Sequence, residues 1–514
     1  MKLDAVGLEV WGHAFAAIAE EMGEVLVHSA LSPNIRERRD ASAAVFDADG
    51  EMIAQAAHIP VHLGAMAEAV AAVRALKPKA NQVFLINDPY TGGTHLPDLT
   101  MVGAYEGDGG VAGFGVVRAH HSDVGGMQPG SMPAGAGEIF AEGLIVPPVR
   151  WTPEVERLVL ANVRTPEMRR GDLAAQRAAV DRGGRGLAAL AARHGWNAVK
   201  DAARELRDYA ERRTRAALAR LDVAGRTATD WLEGDGRSDR DLPIAVRIDV
   251  TDGVFHADFA GTADAAPGNV NCPMAVTRSA VLFVVRTLLP EDIPMNGGVQ
   301  RAVHVTAPIG CLVNARWPSA VAAGNVETSQ RIADVVQLAL AGGAPLPGQG
   351  QGTMNNVTFG GVGWTYYETI GGGQGASAAG PGPSGVHVGM SNTRNTPIEV
   401  LELEYPLRVR RYALRRGSGG VGMWEGGEGV IREFEALATA EVSLLTDRRR
   451  HRPRGVAGGG DGAAGRNLLN GKAVRSKTQL TIENGDVLTI ETPGGGGYGK
   501  PARRRNSTKK DRRK

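Results

Sequence analysis

The sequence has few cysteines and no long apolar run. Only Cys272 and Cys311 occur in 514 residues, too few for a disulfide framework or a Cys-x-x-Cys metal pair. This scarcity is typical of a reducing compartment, so we expect a cytoplasmic protein. Arg286 interrupts the apolar segment "AVLFVVRTLL" well before the ~20 residues that a membrane span needs. The start "MKLDAVGLEVWGHAF" contains no long apolar core of a secretory signal. We therefore expect no membrane association.

Two glycine-rich segments imitate phosphate-binding loops but lack the structural context of such loops. "GSGGVG", which begins at Gly417, is followed by "MWEGGEG", and this pattern is not helical. A bound pyrophosphate would therefore meet no helix N-terminus. "GGGGYGK" ends at Lys500, and Pro501 stands where a Ser or Thr would hold magnesium. The sequence thus predicts no ATP site on this chain.

The charge distribution argues against a nucleic-acid partner. The whole chain has a formal charge of +2, but residues 500–514 contain nine Lys or Arg and one acid, which gives +8. Subtracting +8 from +2 leaves a body of about −6. An acidic body lacks the basic face of a nucleic-acid binder. We interpret residues 500–514 as a basic, disordered tail.

Hydrophobic periodicity predicts a multidomain α+β protein. Residues 1–150 form the expected N-terminal α/β part, in which polar residues follow buried-type strands. Residues 151–225 show helical, charge-laced patterns, and we expect a helical middle segment there. Residues 226–499 are rich in glycine and in strand patterns, so they are predicted to form a mixed, β-rich C-terminal domain.

Several single elements are predicted with defined positions. Residues 5–31 have the apolar spacing of an amphipathic helix. Two hairpins are expected, one in "ASAAVFDADGEMIAQ" and one in "IAVRIDVTDGVFHADF" with its turn at Asp252-Gly253. A further helix is predicted over residues 324–341.

The stretch "NDPYTGGTHLPDLT" places acids and an imidazole on one irregular segment. A turn at Pro97 would bring His95 and Asp98 together, and the strand "GFGVVRAH" delivers His120. Asp40 stands at the head of the first hairpin strand. Two imidazoles with two carboxylates suit Zn²⁺, Mn²⁺ or Fe²⁺ and leave room for a water. From the residues alone, a metal site and a set of histidines that hydrogen-bond the backbone are equal alternatives.

Neighbouring residues carry further alternatives. Strand alternation sends His121 to the opposite face from His120, so only one of the two is expected to share a centre with the other ligands. Asp123 either orients a ligand imidazole or caps the following turn. His58 and His62, in "HIPVHLG", are outer partners of the ligands or part of a turn before a helix, and the pattern favours the turn.

The chain resembles the hydantoinase B/oxoprolinase family from about residue 5 to residue 499. This family contains B subunits of ATP-dependent hydantoinases, the matching half of 5-oxoprolinase, and subunits of caprolactamase and of acetone and acetophenone carboxylases. The resemblance implies that His95, Asp98 and His120 hold a metal, with Asp40 as a further ligand. The stretches that carry it are "HIPVHLGAM", "NDPYTGGTHLPDLT", "RAHHSDVGG", "EIFAEGLIVPPV", "AVTRSA", "GNVETSQRIADVV", "ETIGGGQGA", "HVGMSNTRNTPIEVLE", "SLLTDRRR" and "TPGGGGYG".

The resemblance also implies a division of labour between two subunits. A hydantoinase A-like partner binds ATP and phosphorylates the carbonyl oxygen of a small cyclic amide, and this chain then opens the activated ring as part of a hetero-oligomer. The metal would supply hydroxide, and His121 or Asp123 is predicted to move the proton. Two alternatives are a subunit of an ATP-dependent ketone carboxylase and a non-catalytic scaffold subunit.

Overall fold

The computed structural model describes residues 3–57, 59–62, 64–341 and 346–501. Over these residues the chain mixes helices with four sheets, and this confirms the predicted α+β class. His58 and residues 502–514 of the basic tail lie outside the described residues, so the predictions made for them stay predictions. Within the described ranges, no helix is both long enough and apolar enough to cross a membrane.

The first sheet carries the predicted site residues. Its strands run antiparallel to their neighbours in the order β2-β1-β5-β4-β3-β6. The predicted hairpin is confirmed as the first two strands. The elements of this part are α1 (Ala5–Ser29), α2 (Pro33–Arg36), β1 (Ala41–Asp47), β2 (Met52–Ala57), α3 (Ala65–Ala75), β3 (Val83–Ile86), β4 (Asp98–Gly107), β5 (Gly110–His120) and β6 (Val149–Arg150), with short 3₁₀ turns at Pro60–His62 and Ile139–Ala141.

Three helices follow the first sheet: α4 (Pro153–Leu160), α5 (Pro166–His194) and α6 (Trp196–Leu218). Their presence confirms the helical character predicted for this segment. Leu187 of α5 packs in one hydrophobic core with Phe15 of α1 and Val117 of β5. The expected boundary at residue 151 therefore lies within one packed unit, and the domain limits stay predictions.

A second sheet, in the order β10-β9-β8-β7, packs against two long helices. Asp252 and Gly253 have φ values of 53° and 70° at the β8–β9 turn, as a two-residue primed turn requires, so this predicted hairpin is confirmed. The predicted helix over residues 324–341 begins with a π-helical turn at Gly324–Thr328. The elements are β7 (Arg226–Glu233), β8 (Asp241–Thr251), β9 (Val254–Asp258), α7 (Met274–Leu288), α8 (Gly297–Arg301), β10 (Val303–Thr306) and α9 (Ser329–Leu340).

The last part of the chain forms two interleaved antiparallel sheets that share an apolar core around Phe359, Phe434 and Leu488. Their strand orders are β12-β11-β15-β18 and β13-β14-β19-β16-β17. The elements are β11 (Asn356–Gly361), β12 (Trp364–Glu368), α10 (Ile398–Glu404), β13 (Leu407–Leu414), β14 (Val430–Ala436), β15 (Ala440–Leu445), β16 (Arg466–Leu469), β17 (Lys472–Ala473), β18 (Lys477–Ile482) and β19 (Val487–Glu491).

The glycine-rich segments between these strands pack backbone against backbone. Gly420 N–H donates to the Gly495 carbonyl, and Gly495 N–H donates to the Gly427 carbonyl, at 2.8 and 2.9 Å. A Cβ atom on Gly495 would lie 2.0 Å from the carbonyl oxygen of Gln374. Glycine is therefore needed here for close packing of main chains. Both segments that imitate phosphate loops contribute to this packing.

The glycine packing predicts a large effect of one methyl group. Gly495→Ala should lower the free energy of unfolding by at least ~2 kcal/mol, because overpacking costs ~1–3 kcal/mol and a backbone oxygen cannot swing aside. Chemical denaturation followed by circular dichroism measures this loss. Gly135→Ala is the control, since its nearest neighbour would be Gln479 Oε1 at 3.7 Å. Equal stability of the two variants would contradict the packing argument.

Candidate metal centre

Antiparallel pairing of β4 with β5 brings the central residues of the site together. Asp98, the first residue of β4, lies directly opposite His120, the last residue of β5. The turn before β4 returns His95 to the same place, because the Asp98 N–H donates to the His95 carbonyl at 3.1 Å. Sequence reasoning predicted this turn at Pro97, and the structure confirms it.

Three ligand atoms of these residues converge on one point. His95 Nε2 lies 3.1 Å from Asp98 Oδ1, and His120 Nδ1 lies 3.3 Å from the same oxygen. The two imidazole nitrogens are 3.2 Å apart. All three side chains are buried. Donors bound to one ion at 2.0–2.1 Å in tetrahedral geometry stand about 3.4 Å apart, so the arrangement fits a divalent cation such as Zn²⁺.

The second carboxylate oxygen of Asp98 is held from three sides. Thr94 Oγ1 donates to Asp98 Oδ2 at 2.5 Å, and Asn325 Nδ2 does so at 3.4 Å. His62 Nε2 is also 3.4 Å from this oxygen. Burial alone would raise the pKa of Asp98, but His95 and the hydrogen bonds from His120 and His62 keep this pKa well below its usual range. Asp98 is therefore an anion, as a metal ligand must be.

His62 combines the two alternatives considered for it. It closes the 3₁₀ turn Pro60–His62 before α3, as the pattern favoured, and its ring also contacts Asp98. Its other nitrogen, Nδ1, lies 2.9 Å from Ser42 Oγ of β1. His62 therefore links the first hairpin to the Asp98 carboxylate.

The ring of His120 is fixed by packing. It stacks on Tyr367 of β12 with ring centroids 4.3 Å apart and an angle of 13° between the planes. The His120 N–H donates to the Asp40 carbonyl at 3.0 Å, and Asn34 Nδ2 donates to the His120 carbonyl at 2.6 Å. Burial lowers the pKa of His120, which favours the neutral imidazole that binds metals.

A small cavity adjoins the three ligand atoms. Its volume is about 20 Å³, which is enough for one water. Asp40, Asp98 and His120 line one side, and Asn325 and Tyr367 line another. Asp40, predicted as a fourth ligand, thus faces the same cavity, although the cluster of converging ligand atoms contains only the other three residues among those described.

His121 and Asp123, the predicted proton carriers, lie apart from the three ligand atoms. His121 Nε2 is 2.9 Å from Gln176 Oε1 of α5, on the opposite face of the strand from His120. Burial and the nearby Arg169 lower the pKa of His121 to about 4, so its ring is neutral at pH 7. The described contacts of His121 thus run toward α5 and away from the cavity.

Asp123 shapes the loop after β5. Its carboxylate accepts hydrogen bonds from the side chain and backbone of Arg164, both at 2.8 Å. It also accepts from the N–H groups of Gly125 and Gly130. Of the two alternatives considered for Asp123, these contacts agree with the turn cap, and its predicted role in proton transfer stays a prediction.

Sequence reasoning missed the residues that close the site from distant parts of the chain. Asn325 lies in the π-helical turn, Tyr367 lies on β12, and Thr94 precedes the ligands. The stretch "GNVETSQ" was interpreted only as a helix, and a π turn has no clear periodic signal. Such turns occur often at functional sites, which fits the position of Asn325.

The comparisons with known proteins agree with this geometry. The sequence profile described as hydantoinase B/oxoprolinase matches residues 4–501. The chain belongs to the hydantoinase B/oxoprolinase family. This membership confirms the resemblance carried by the quoted stretches.

Relatives of this hydantoinase B/oxoprolinase chain differ in length. An uncharacterized protein of Methanocaldococcus jannaschii is 39% identical, over 98% of this chain and 92% of its own. 5-Oxoprolinase 1 of Arabidopsis thaliana is 37% identical, over 96% of this chain but 42% of its own. The putative D-/L-hydantoinase B subunit of Pseudomonas sp. (strain NS671) is 29% identical, over 98% of this chain and 91% of its own. The chain thus spans less than half of the plant protein.

Solved structures share the fold. The ATP-dependent caprolactamase of Pseudomonas jessenii superposes with a TM-score of 0.88 at 28% identity, over 97% of this chain and 92% of that one. An acetone carboxylase superposes with a TM-score of 0.87 over 97% of this chain and 76% of that one. Its identity is only 17%, so this second likeness shows the fold alone.

The orientation of neighbouring histidines predicts opposite effects on metal binding. His120→Ala should weaken affinity for Zn²⁺ by at least ~100-fold, since loss of even an outer partner of a ligand costs 10–100-fold. His121→Gln should retain the metal, because its ring points toward Gln176. Elemental analysis and competition with a chromogenic chelator measure both, and circular dichroism verifies folding. Metal loss in His121→Gln with retention in His120→Ala would overturn the assignment.

Proposed function

We propose that this chain is the metal-dependent B subunit of an ATP-dependent cyclic amide hydrolase of the hydantoinase or 5-oxoprolinase type. The observation that carries the proposal is the buried cluster of His95, Asp98 and His120 beside a cavity of one water's size. Family membership and the 5-oxoprolinase and hydantoinase relatives support the substrate class. The caprolactamase, which is ATP-dependent, supports the requirement for ATP.

His95, Asp98 and His120 would hold the metal, with Asp40 as a further ligand from the wall of the cavity. Zn²⁺, Mn²⁺ and Fe²⁺ all accept this set of imidazole and carboxylate donors. When bound, the ion supplies an ionised water at neutral pH and a positive charge near the reacting carbonyl carbon. The chain's own contribution is orientation, because Thr94, Asn325 and His62 fix the Asp98 carboxylate.

ATP would bind to a separate hydantoinase A-like subunit. The glycine-rich segments of this chain are occupied by main-chain packing, as Gly420, Gly427 and Gly495 show. The chain also covers only 42% of 5-oxoprolinase 1, whereas it covers 91% of a protein named as a hydantoinase subunit. A partner would thus supply what the longer relative carries on the same polypeptide. We propose a hetero-oligomer in the cytoplasm.

Phosphorylation by the partner explains how a stable ring becomes reactive. Resonance protects an amide against water, and transfer of a phosphoryl group to the carbonyl oxygen removes much of that protection. The chain described here then needs only to hold the ring beside an activated water and to exclude bulk solvent. Its buried cluster and closed cavity are suited to this, since electrostatic stabilisation is stronger where water is excluded.

The proposal predicts an activity that depends on both subunits, on ATP and on the metal. The chain co-purified with its A-like partner should open at least one ring among hydantoin, N-methylhydantoin, 5-oxoproline and caprolactam, with ADP formed in step. Asp98→Asn should lower turnover at least ~100-fold, because a neutral amide removes the anionic ligand. His13→Ala is the control, since His13 lies on the exposed face of α1.

Three results would contradict this function. Bicarbonate-dependent carboxylation of acetone or acetophenone, without ring opening, would indicate the ketone carboxylase alternative. Full partner activity in Asp98→Asn would indicate a scaffold subunit. Ring opening by this chain without ATP would remove the need for the partner.

The proton-transfer role predicted for His121 is tested in the same complex. A proton carrier requires that His121→Ala lower turnover while the metal is retained. Because His121 Nε2 contacts Gln176 and not the cavity, we expect instead a loss of stability of about 1–3 kcal/mol, from an unsatisfied buried partner. Turnover per metal-loaded molecule should stay within threefold of wild type, as measured by steady-state kinetics. A drop beyond tenfold would restore the shuttle.

A further inference from the structure

An irregular segment, residues 386–397, covers the cavity beside the metal ligands. Ser391 and Thr393 are buried and line the cavity, whereas the side chains between and after them, Asn392 and Arg394, are exposed. This segment belongs to the stretch "HVGMSNTRNTPIEVLE", to which no role has been assigned so far. Because the cavity holds only about 20 Å³, the segment has to move outward when a ring binds.

Four side chains form a continuous hydrogen-bonded chain along this wall. Ser391 Oγ lies 2.7 Å from His387 Nδ1, and His387 Nε2 lies 3.4 Å from Thr393 Oγ1. Thr393 Oγ1 then lies 2.7 Å from Thr369 Oγ1, beyond the end of β12. We call these four residues the relay. Both of its ends, Ser391 and Thr369, line the cavity.

A buried cation anchors one end of the relay. Arg38 Nη2 donates to Thr369 Oγ1 at 2.6 Å and to Thr393 Oγ1 at 3.2 Å. A guanidinium only donates, so it takes one lone pair from each threonine and leaves their protons to the relay. Burial and the neighbouring Arg38 lower the pKa of His387 to about 3, so the imidazole is neutral and carries a single N–H at pH 7.

Counting protons fixes the character of the two ends. Ser391, neutral His387, Thr393 and Thr369 provide one polar hydrogen each, and three links consume three of the four. One hydrogen therefore remains, at one end of the relay or the other. If Ser391 donates to His387, Thr369 keeps a free O–H and Ser391 offers only lone pairs. If the imidazole adopts its other tautomer, the two roles are exchanged.

We propose that the two ends of the relay, Ser391 and Thr369, form a paired acceptor and donor that binds the N–H and C=O edge of the cyclic amide. A ring amide presents one donor and one acceptor side by side, because its peptide bond is cis. One end of the relay always donates and the other always accepts, so the pair matches that edge in either tautomer. This inference rests on the proposed function and specifies what its site recognises.

Two variants test the pair in the complex with the A-like subunit. Ser391→Ala and Thr369→Val should each lower kcat/KM about 10- to 100-fold on the best lactam, the range expected for an unsatisfied buried hydrogen bond. Metal content should not change. Arg394→Lys is the control on the same segment, because its exposed side chain keeps its charge, and its kcat/KM should stay within twofold.

A substrate change separates recognition from a structural role. Wild type should prefer the N–H lactam over its N-methyl counterpart by at least about tenfold. This preference should fall below threefold in whichever variant removes the acceptor. An unchanged preference in both variants, or kcat/KM within threefold of wild type in both, would overturn the proposal.

A spectroscopic measurement keeps this test separate from the proposed function. In protein labelled with ¹⁵N-histidine, the His387 signal, assigned by its disappearance in His387→Gln, should be that of a neutral ring from pH 5 to pH 8. Ser391→Ala should shift it. A protonated ring at pH 7 would overturn the relay even if ring opening is observed. A neutral, Ser391-sensitive ring in a complex that opens no lactam would instead contradict the proposed function alone.

Discussion

The register between β4 and β5 is the constraint on which the site depends. Asp98 stands opposite His120 only while these strands keep their pairing. A slip of one residue would turn His120 toward α5 and bring His121 to the cavity side, since neighbouring side chains of a strand face opposite ways. Burial on both faces of these strands specifies the register, because Val116 and Val117 pack into different apolar clusters.

Around that register, three parts of the fold contribute one wall each. The first sheet supplies the ligands, the π turn before α9 supplies Asn325, and the C-terminal β part supplies Tyr367 and the segment over residues 386–397. Arg38 ties the first and last of these together, since it donates to the Tyr367 carbonyl as well as to Thr369. A buried guanidinium is stabilised only when it is fully engaged, so its partners have to be in place.

Local pattern was sufficient for the elements and for the three ligands. The Asp-Gly turn at residue 252, the helix before the first sheet and the convergence of His95, Asp98 and His120 all depend on short-range chemistry or on strand ends. Pattern could not distinguish the contacts of His121 from those of His120 beyond placing them on opposite faces. It also could not show that Tyr367 would stack on His120, because that contact joins strands of two different sheets and leaves no periodic trace.

The positions of the site residues along the chain have a consequence for assembly. His95, Asp98, His120 and Asp40 all belong to the first quarter of the polypeptide, whereas Tyr367 and Thr393, which wall the cavity, come from its last third. During synthesis the ligand cluster therefore leaves the ribosome long before its cover does. An ion supplied while the chain is still growing meets an open site, whereas one supplied to the finished protein has to pass a closed wall.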